Sequence, residues 1–288
     1  MSYVDLDDDI CTNNFDILTN DTSERYKILY VTKHRRFGVL NRIEAHVPTE
    51  TPYLYTYLDE CSSDEYDMDS EYLCHGETRK TEKMMNYIME TKTDLYNRCY
   101  TPVYVRPKTT MNYNYYYKIY STAKNRKVPL IISKSLSNVW SITNKEHNRF
   151  YMDVVFNYGF RRTVDCPDNI NIYTPRYTSG DINWSTISPY KLFTLKSNSI
   201  VPYRNVQSRY NRTLDSYVLK FTVGTTGIPS EKNSCIIRTD EPDDSKPYIE
   251  MLRISKDIIS IIYRSPFTFL HAFTYGVARI HSGANKFI

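Results

Sequence analysis

Glycine is scarce, 8 residues in 288, and none of it sits in a phosphate-cradling loop. VGTTGIPSEK (223–232) lacks the Gly-Lys-Ser/Thr order of a P-loop and reads as a hairpin turn. H-E-x-x-H, G-x-S-x-G and G-x-G-x-x-G are all missing, so the sequence offers no catalytic residue and no required cofactor, and the chain reads as a non-enzyme. The 6 cysteines show no C-x-x-C spacing, which argues against a zinc ribbon or a disulfide framework and leaves reduced, packed thiols. No metal site is expected, because the 6 histidines are isolated and even Cys74-His75 would point to opposite faces of a strand. An excess of one charge is also missing. Lys plus Arg is 37 against 33 acids, a formal +4, too near balance to make nucleic acid or an anionic membrane the main partner. No apolar run is long enough to span a bilayer, and MSYVDLDDDI has neither part of a signal peptide. A cytosolic chain is the expectation.

Tyrosine is abundant: 28 residues, against 11 Phe and 2 Trp. Its ring packs while its hydroxyl finds a partner, which suits contacts between surfaces. MNYNYYYKIY (111–120) carries Tyr113, Tyr115, Tyr116, Tyr117 and Tyr120. Strand alternation places Tyr113, Tyr115 and Tyr117 on one face and Tyr116 and Tyr120 on the other. Burial raises a phenol's pKa, so packed tyrosines hold a structure together at neutral pH and release it in strong alkali.

Charge divides the start of the chain. Residues 1–24 hold seven acids and no Lys or Arg, and residues 25–43 hold six Lys or Arg and no acid. This reads as an acidic amino-terminal arm, 1–24, ahead of a single domain, 25–288. The arm docks through Asp5, Asp7, Asp8 and Asp9 onto basic residues such as Arg35 and Arg36, across a subunit boundary. Short β-type runs at YKILYVT (26), YLYTYL (53), YYYKIYS (115), VPLIIS (128), YMDVVF (151), YVLKFTV (217) and SCIIR (234) favour a mainly β fold of sandwich or barrel type. Apolar residues near helical spacing predict helices near 78–99 and 250–264.

KIYSTAKNRKVPLIISKSLSNV (118–139), FTYGVARIHSG (273–283) and SEYLCHG (70–76) together resemble blocks of the cypovirus polyhedrins, in the same order. The resemblance implies a β-sandwich core with peripheral helices and an amino-terminal arm. It implies homotrimers packed in a crystal lattice, an occlusion body in the cytoplasm of infected cells that encases virus particles and dissolves in alkali. The five tyrosines would then be lattice and pH-sensing groups. Virions and further copies of the chain would be the partners, with no membrane, and bound nucleotides are allowed by the family. The alternative, from the interleaved aromatic and basic residues of 115–127, is a tyrosine-rich viral capsid or single-stranded RNA-binding protein.

Overall fold

The computed structural model describes residues 26–48 except 38, 71–73, 99–100, 103–109, 115–121, 127–134, 138–157 except 145, 169–176, 184–213, 216–221, and 228–281 except 229 and 231. The acidic arm, the β-type run at 53–58, the 78–98 segment and Tyr113 lie outside the described residues.

In chain order the first eight strands are β1 (Lys27–Arg36), β2 (Val39–Pro48), β3 (Glu71–Leu73), β4 (Cys99–Tyr100), β5 (Val103–Thr109), β6 (Tyr115–Ser121), β7 (Lys127–Lys134) and β8 (Val139–Asn144). There follow β9 (Phe150–Asn157), β10 (Asn169–Pro175), helix α1 (Pro189–Thr194), β11 (Ile200–Asn205), β12 (Arg209–Asn211) and β13 (Ser216–Lys220). The last elements are β14 (Ser234–Arg238), β15 (Ile249–Arg253), β16 (Ile258–Tyr263) and helix α2 (Phe269–His281).

Pairing runs β1-β16-β15-β14-β11-β10-β9-β8-β7-β6-β5-β2, and β1 pairs again with β2. The ring therefore closes: twelve antiparallel strands form a barrel, not two packed sheets. The expected sandwich is corrected by this one contact, since β1 hydrogen-bonds both β16 and β2 and leaves no edge at that seam. Short strands with turn signals between them suit either architecture, and only the long-range β1–β16 pairing separates the two.

An eight-stranded barrel is just filled by its own side chains, and diameter grows with strand number. Twelve strands leave room that must be filled, and α2 fills it: every residue from Phe269 to Ile280 is buried. Inward rows meet it from each side, including Leu29 and Val31 of β1, Ile43 and Ala45 of β2, Trp140 and Ile142 of β8, and Ile259 and Ile261 of β16. The helix is central where peripheral helices were expected. Gly276 marks its closest approach, because a Cβ there would sit 2.6 Å from Ile261 Cδ1 and 3.1 Å from Val31 Cγ2.

The buried helix satisfies its own ends. Thr268 caps the first turn: Oγ1 accepts from His271 N at 3.4 Å, and Thr268 N donates to His271 Nδ1 at 3.2 Å. This is the reciprocal geometry of a capping box, with histidine in the place usually held by Glu or Gln. Midway along, Tyr275 Oη and Ser234 Oγ share a bond of 2.7 Å. At the far end Lys232 Nζ donates to the carbonyls of Arg279 at 3.2 Å and Ile280 at 2.6 Å. An ammonium there takes up carbonyls that lack an intrahelical partner and opposes the negative end of the helix dipole.

The helix expected near 250–264 is two strands, β15 and β16, joined by a tight turn in which Ile254 N and Ser255 N both donate to Ile258 O. Met251, Ile254, Ile258, Ile261 and Ile262 imitate helical spacing because both faces of these strands are covered. Ile249, Met251, Ile259 and Ile261 face α2, while Leu252, Ile254 and Ile258 pack outside the ring against Leu219 and Phe221. Strands buried on both faces lose the polar alternation that would identify them. Outside the barrel β12, β13 and β3 make a small separate sheet. The short α1 docks on β9 through Asp153, whose Oδ1 accepts from Ser141 at 2.5 Å and whose Oδ2 accepts from Ser188 at 2.5 Å and from Tyr190 N at 3.0 Å.

Candidate functional site

α2 enters at the end of the barrel where β16 finishes and ends at the opposite mouth. Lys33 and Lys134 continue the inward rows of β1 and β7 at that mouth. They act with Lys232 on His281, the last residue of α2, whose imidazole is pushed down to about 3 by burial and by these three cations. His281 is thus neutral at physiological pH. Its Nε2 lies 2.5 Å from Tyr117 Oη, with Trp140 beside it at 5.6 Å between ring centroids.

Further out, the turn between β15 and β16 adds Arg253, Lys256 and Asp257, and β1 adds Arg35. Asp257 Oδ1 lies 3.8 Å from both Lys33 Nζ and Arg35 Nε. Burial holds Lys33 below the ordinary lysine range; Asp257 pulls it back up, while Arg253, Arg35 and Lys256 push it down further. Lys134 is lowered by burial. Like charges crowded in partly desolvated positions favour an incoming anion, because an anion relieves the repulsion among them. The tip of the β1–β2 hairpin stands at the same end. There Phe37 is 93% exposed with φ 52°, and Arg36 lies over its ring at 5.6 Å.

The residues singled out from the sequence are divided by this arrangement. Tyr117 is 0% exposed and faces α2, a position that leaves it no surface for contact between molecules; its partner is His281 of the same chain. Tyr115, Tyr116 and Tyr120 lie on β6. Arg35 and Arg36 end β1 and are exposed at the mouth. Asp5, Asp7, Asp8 and Asp9 lie outside the described residues. Lys33 figured only as one of the six cations of 25–43, and Lys134, Lys232, Arg253 and Lys256 went unnoticed, since they come from three further parts of the chain and no spacing unites them.

On the outer face of the β1–β2 hairpin, among the described residues, one group gathers three metal-ligating side chains: His34, Glu44 and His46. Glu44 Oε2 lies 2.8 Å from His34 Nε2 and 3.5 Å from His46 Nε2. Alternation along β2 placed Glu44 and His46 on one face, and the hairpin brings His34 to them.

The family model that matches this chain is that of the Tub family, over residues 39–282. No curated protein matches the chain. The Tub domain is a closed twelve-strand antiparallel barrel with few helices, which is the architecture described above. This match overturns the polyhedrin resemblance, and with it the occlusion-body function, alkaline release of virions and the capsid or RNA-binding alternative. Two of the blocks that carried the resemblance have another meaning: 118–139 runs through β6 and β7 into β8, and 273–281 is the carboxyl-terminal part of the buried α2. The expected trimeric lattice, virions and nucleotides draw no support from the family match. Its model spans most of the sequence, from β2 to the end of the central helix, and the chain belongs to the Tub family.

Proposed function

We propose that this chain is a non-enzymatic binding module whose basic mouth takes the phosphorylated headgroup of a phosphoinositide at a membrane surface. The observation that carries the reading is the crowding of Arg35, Arg253 and Lys256 about Lys33, with one carboxylate, Asp257, between Lys33 and Arg35. A multiply charged phosphate placed there gains charge-assisted hydrogen bonds from several donors at once. Phe37, exposed at the hairpin tip beside Arg35 and Arg36, adds an aromatic group that enters the headgroup layer while the cations meet phosphate. Tubby-like proteins are membrane-associated signalling proteins that bind phosphoinositides, and the charge at this mouth suits that ligand. The balanced total charge argued against a membrane partner; the local distribution reverses that argument. Among the described residues no helix is long and apolar enough to cross a membrane, and surface binding needs none.

The test is co-sedimentation with phosphatidylcholine vesicles containing a few per cent phosphatidylinositol bisphosphate, compared with phosphatidylserine vesicles of matched charge. Each cation near the surface contributes about 1 kcal/mol, so Arg35→Gln with Lys256→Gln should weaken binding roughly thirtyfold. Phe37→Ala should weaken it further without changing its salt dependence. Equal binding to both vesicle types, or an unchanged double variant, would refute the reading.

A further inference from the structure

We propose that His34, Glu44 and His46 form a zinc site on the outer face of the β1–β2 hairpin, separate from the basic mouth. The register explains how the hairpin builds it. Thr32 stands opposite Glu44, His34 opposite Arg42, and Tyr30 opposite His46. The two histidines therefore flank the Thr32–Glu44 row from either side, and both lean over it. His34 Nε2 lies 3.1 Å and His46 Nε2 2.8 Å from Thr32 Oγ1, and both imidazoles approach Glu44 Oε2 at 2.8 and 3.5 Å. All three ligand atoms fall within 4.8 Å of one another. A tetrahedral zinc centre with bonds of 2.0–2.1 Å has ligand-to-ligand edges of about 3.3 Å, so modest side-chain rotation accommodates the ion.

The donor set specifies the metal class. Two imidazole nitrogens and one carboxylate suit zinc, with a fourth position for water beside Thr32 Oγ1, whereas an all-oxygen set would suit calcium or magnesium. Support for the ligands is already built. Arg42 NH2 donates to Glu44 Oε1 at 2.7 Å, which orients the carboxylate and leaves Oε2 turned to the histidines. Arg42 is itself held against the ring of Tyr104 at 3.7 Å. Such outer partners commonly orient metal ligands. The His46 and Glu44 side chains are 9% and 14% exposed, so the site is sheltered, and His34 at 42% gives the ion its way in. β1 and β2 are the hairpin whose first strand also closes the barrel on β16, and an ion bridging them would fasten that hairpin; binding to the folded state alone raises apparent stability with the logarithm of ligand concentration over Kd.

The experiment uses the full chain without a histidine tag. Cobalt is titrated while the visible bands of a tetrahedral centre are recorded, and zinc affinity is measured by competition with a chromophoric chelator. One ion per chain is expected, with zinc displacing cobalt and raising Tm. His34→Ala, at the exposed ligand, and Glu44→Gln, which keeps shape and hydrogen bonding, should each weaken zinc at least tenfold, a floor of about the loss seen for outer-shell partners alone. Arg42→Met should weaken it about tenfold or more with the tetrahedral cobalt bands retained. No tetrahedral cobalt spectrum, or zinc affinity equal in wild type, His34→Ala and Glu44→Gln, would overturn the proposal and leave the group as a hydrogen-bonded cluster.

Discussion

His271 makes the buried helix sensitive to acid, and the effect can be worked from its surroundings. It is 2% exposed. Its Nδ1 accepts from Thr268 N, and a bond to the Tyr151 backbone also faces the ring. A second ring proton would remove the acceptor that closes the capping box, and would set a cation at the positive end of a helix. Burial pushes the imidazole down to about 4. Because the folded value lies below the unfolded one, the unfolded chain binds the proton more tightly. The stabilisation is complete above about pH 6.5 and is lost as pH falls from there through about 4. A shift from 6.5 to about 4 corresponds to about 3 kcal/mol, of which about 2 kcal/mol is gone by about pH 5. His271→Gln keeps an acceptor for Thr268 N and cannot titrate. Urea unfolding followed by tryptophan fluorescence between about pH 7 and 5 should show wild type losing more stability than the variant, by about 2 kcal/mol. His281, held at about 3, titrates over the same range in both proteins and cancels in the comparison. Identical pH slopes would refute the assignment.

Gly276→Ala should destabilise by about 1–3 kcal/mol in a urea melt, since overpacking against Ile261 and Val31 outweighs the roughly 1 kcal/mol gain in helix propensity. A neutral or stabilising result would mean that α2 and β1 are not in contact at that point. Asp153→Ala leaves Ser141, Ser188 and Tyr190 N without their acceptor and should cost about 2–4 kcal/mol, with earlier proteolysis in 184–199 than elsewhere as the local sign. Burial pushes Tyr26 and Tyr173 up to about 12. Their stabilisation is present below about pH 10 and is lost as pH rises from there through about 12, so Tyr173→Phe should flatten the alkaline melting profile. An unchanged profile would remove Tyr173 from that response.

Strands were legible where one face is polar or where a β-branched run is short and bounded. Among the described residues, the runs at 26, 115, 128, 151, 217 and 234 fall on β1, β6, β7, β9, β13 and β14. α2 was not legible, because FLHAFTYGVARIH is enclosed on every side and shows no polar stripe for a helical pattern to reveal. β15 and β16 were misread for the same reason, burial all round. Barrel closure could not be read at all: β1 and β16 are separated by most of the chain, and nothing local marks them as partners. Of the mouth, Lys33, Arg35 and Arg36 were visible, as part of a basic run, and the partner expected for Arg35 and Arg36 was an acidic arm that lies outside the described residues. The zinc ligands had a faint signal in the alternation of Glu44 and His46, which a search for fixed metal spacings passes over.

The charge at the mouth follows from the way the fold encloses α2. A helix buried inside a ring must end somewhere, and its final carbonyls need donors that water cannot reach. Lys232 supplies them to Arg279 and Ile280, so one cation at this end is structural. Burial, with the charges of Lys232, Lys134 and Lys33 adding to it, keeps His281 neutral beside Tyr117; Lys33 and Lys134 are themselves partly buried on the inward rows. The outer cations, Arg35, Arg253 and Lys256, act on Lys33 from the rim, where Asp257 lies 3.8 Å from both Lys33 and Arg35. The mouth thus has an inner layer that terminates the helix and an outer layer suited to an anion, with Lys33 between them. Stability and the proposed ligand binding are therefore separable there: changes at Lys232 should act on the helix end, changes at Arg35 and Lys256 on the proposed ligand, and changes at Lys33 on both.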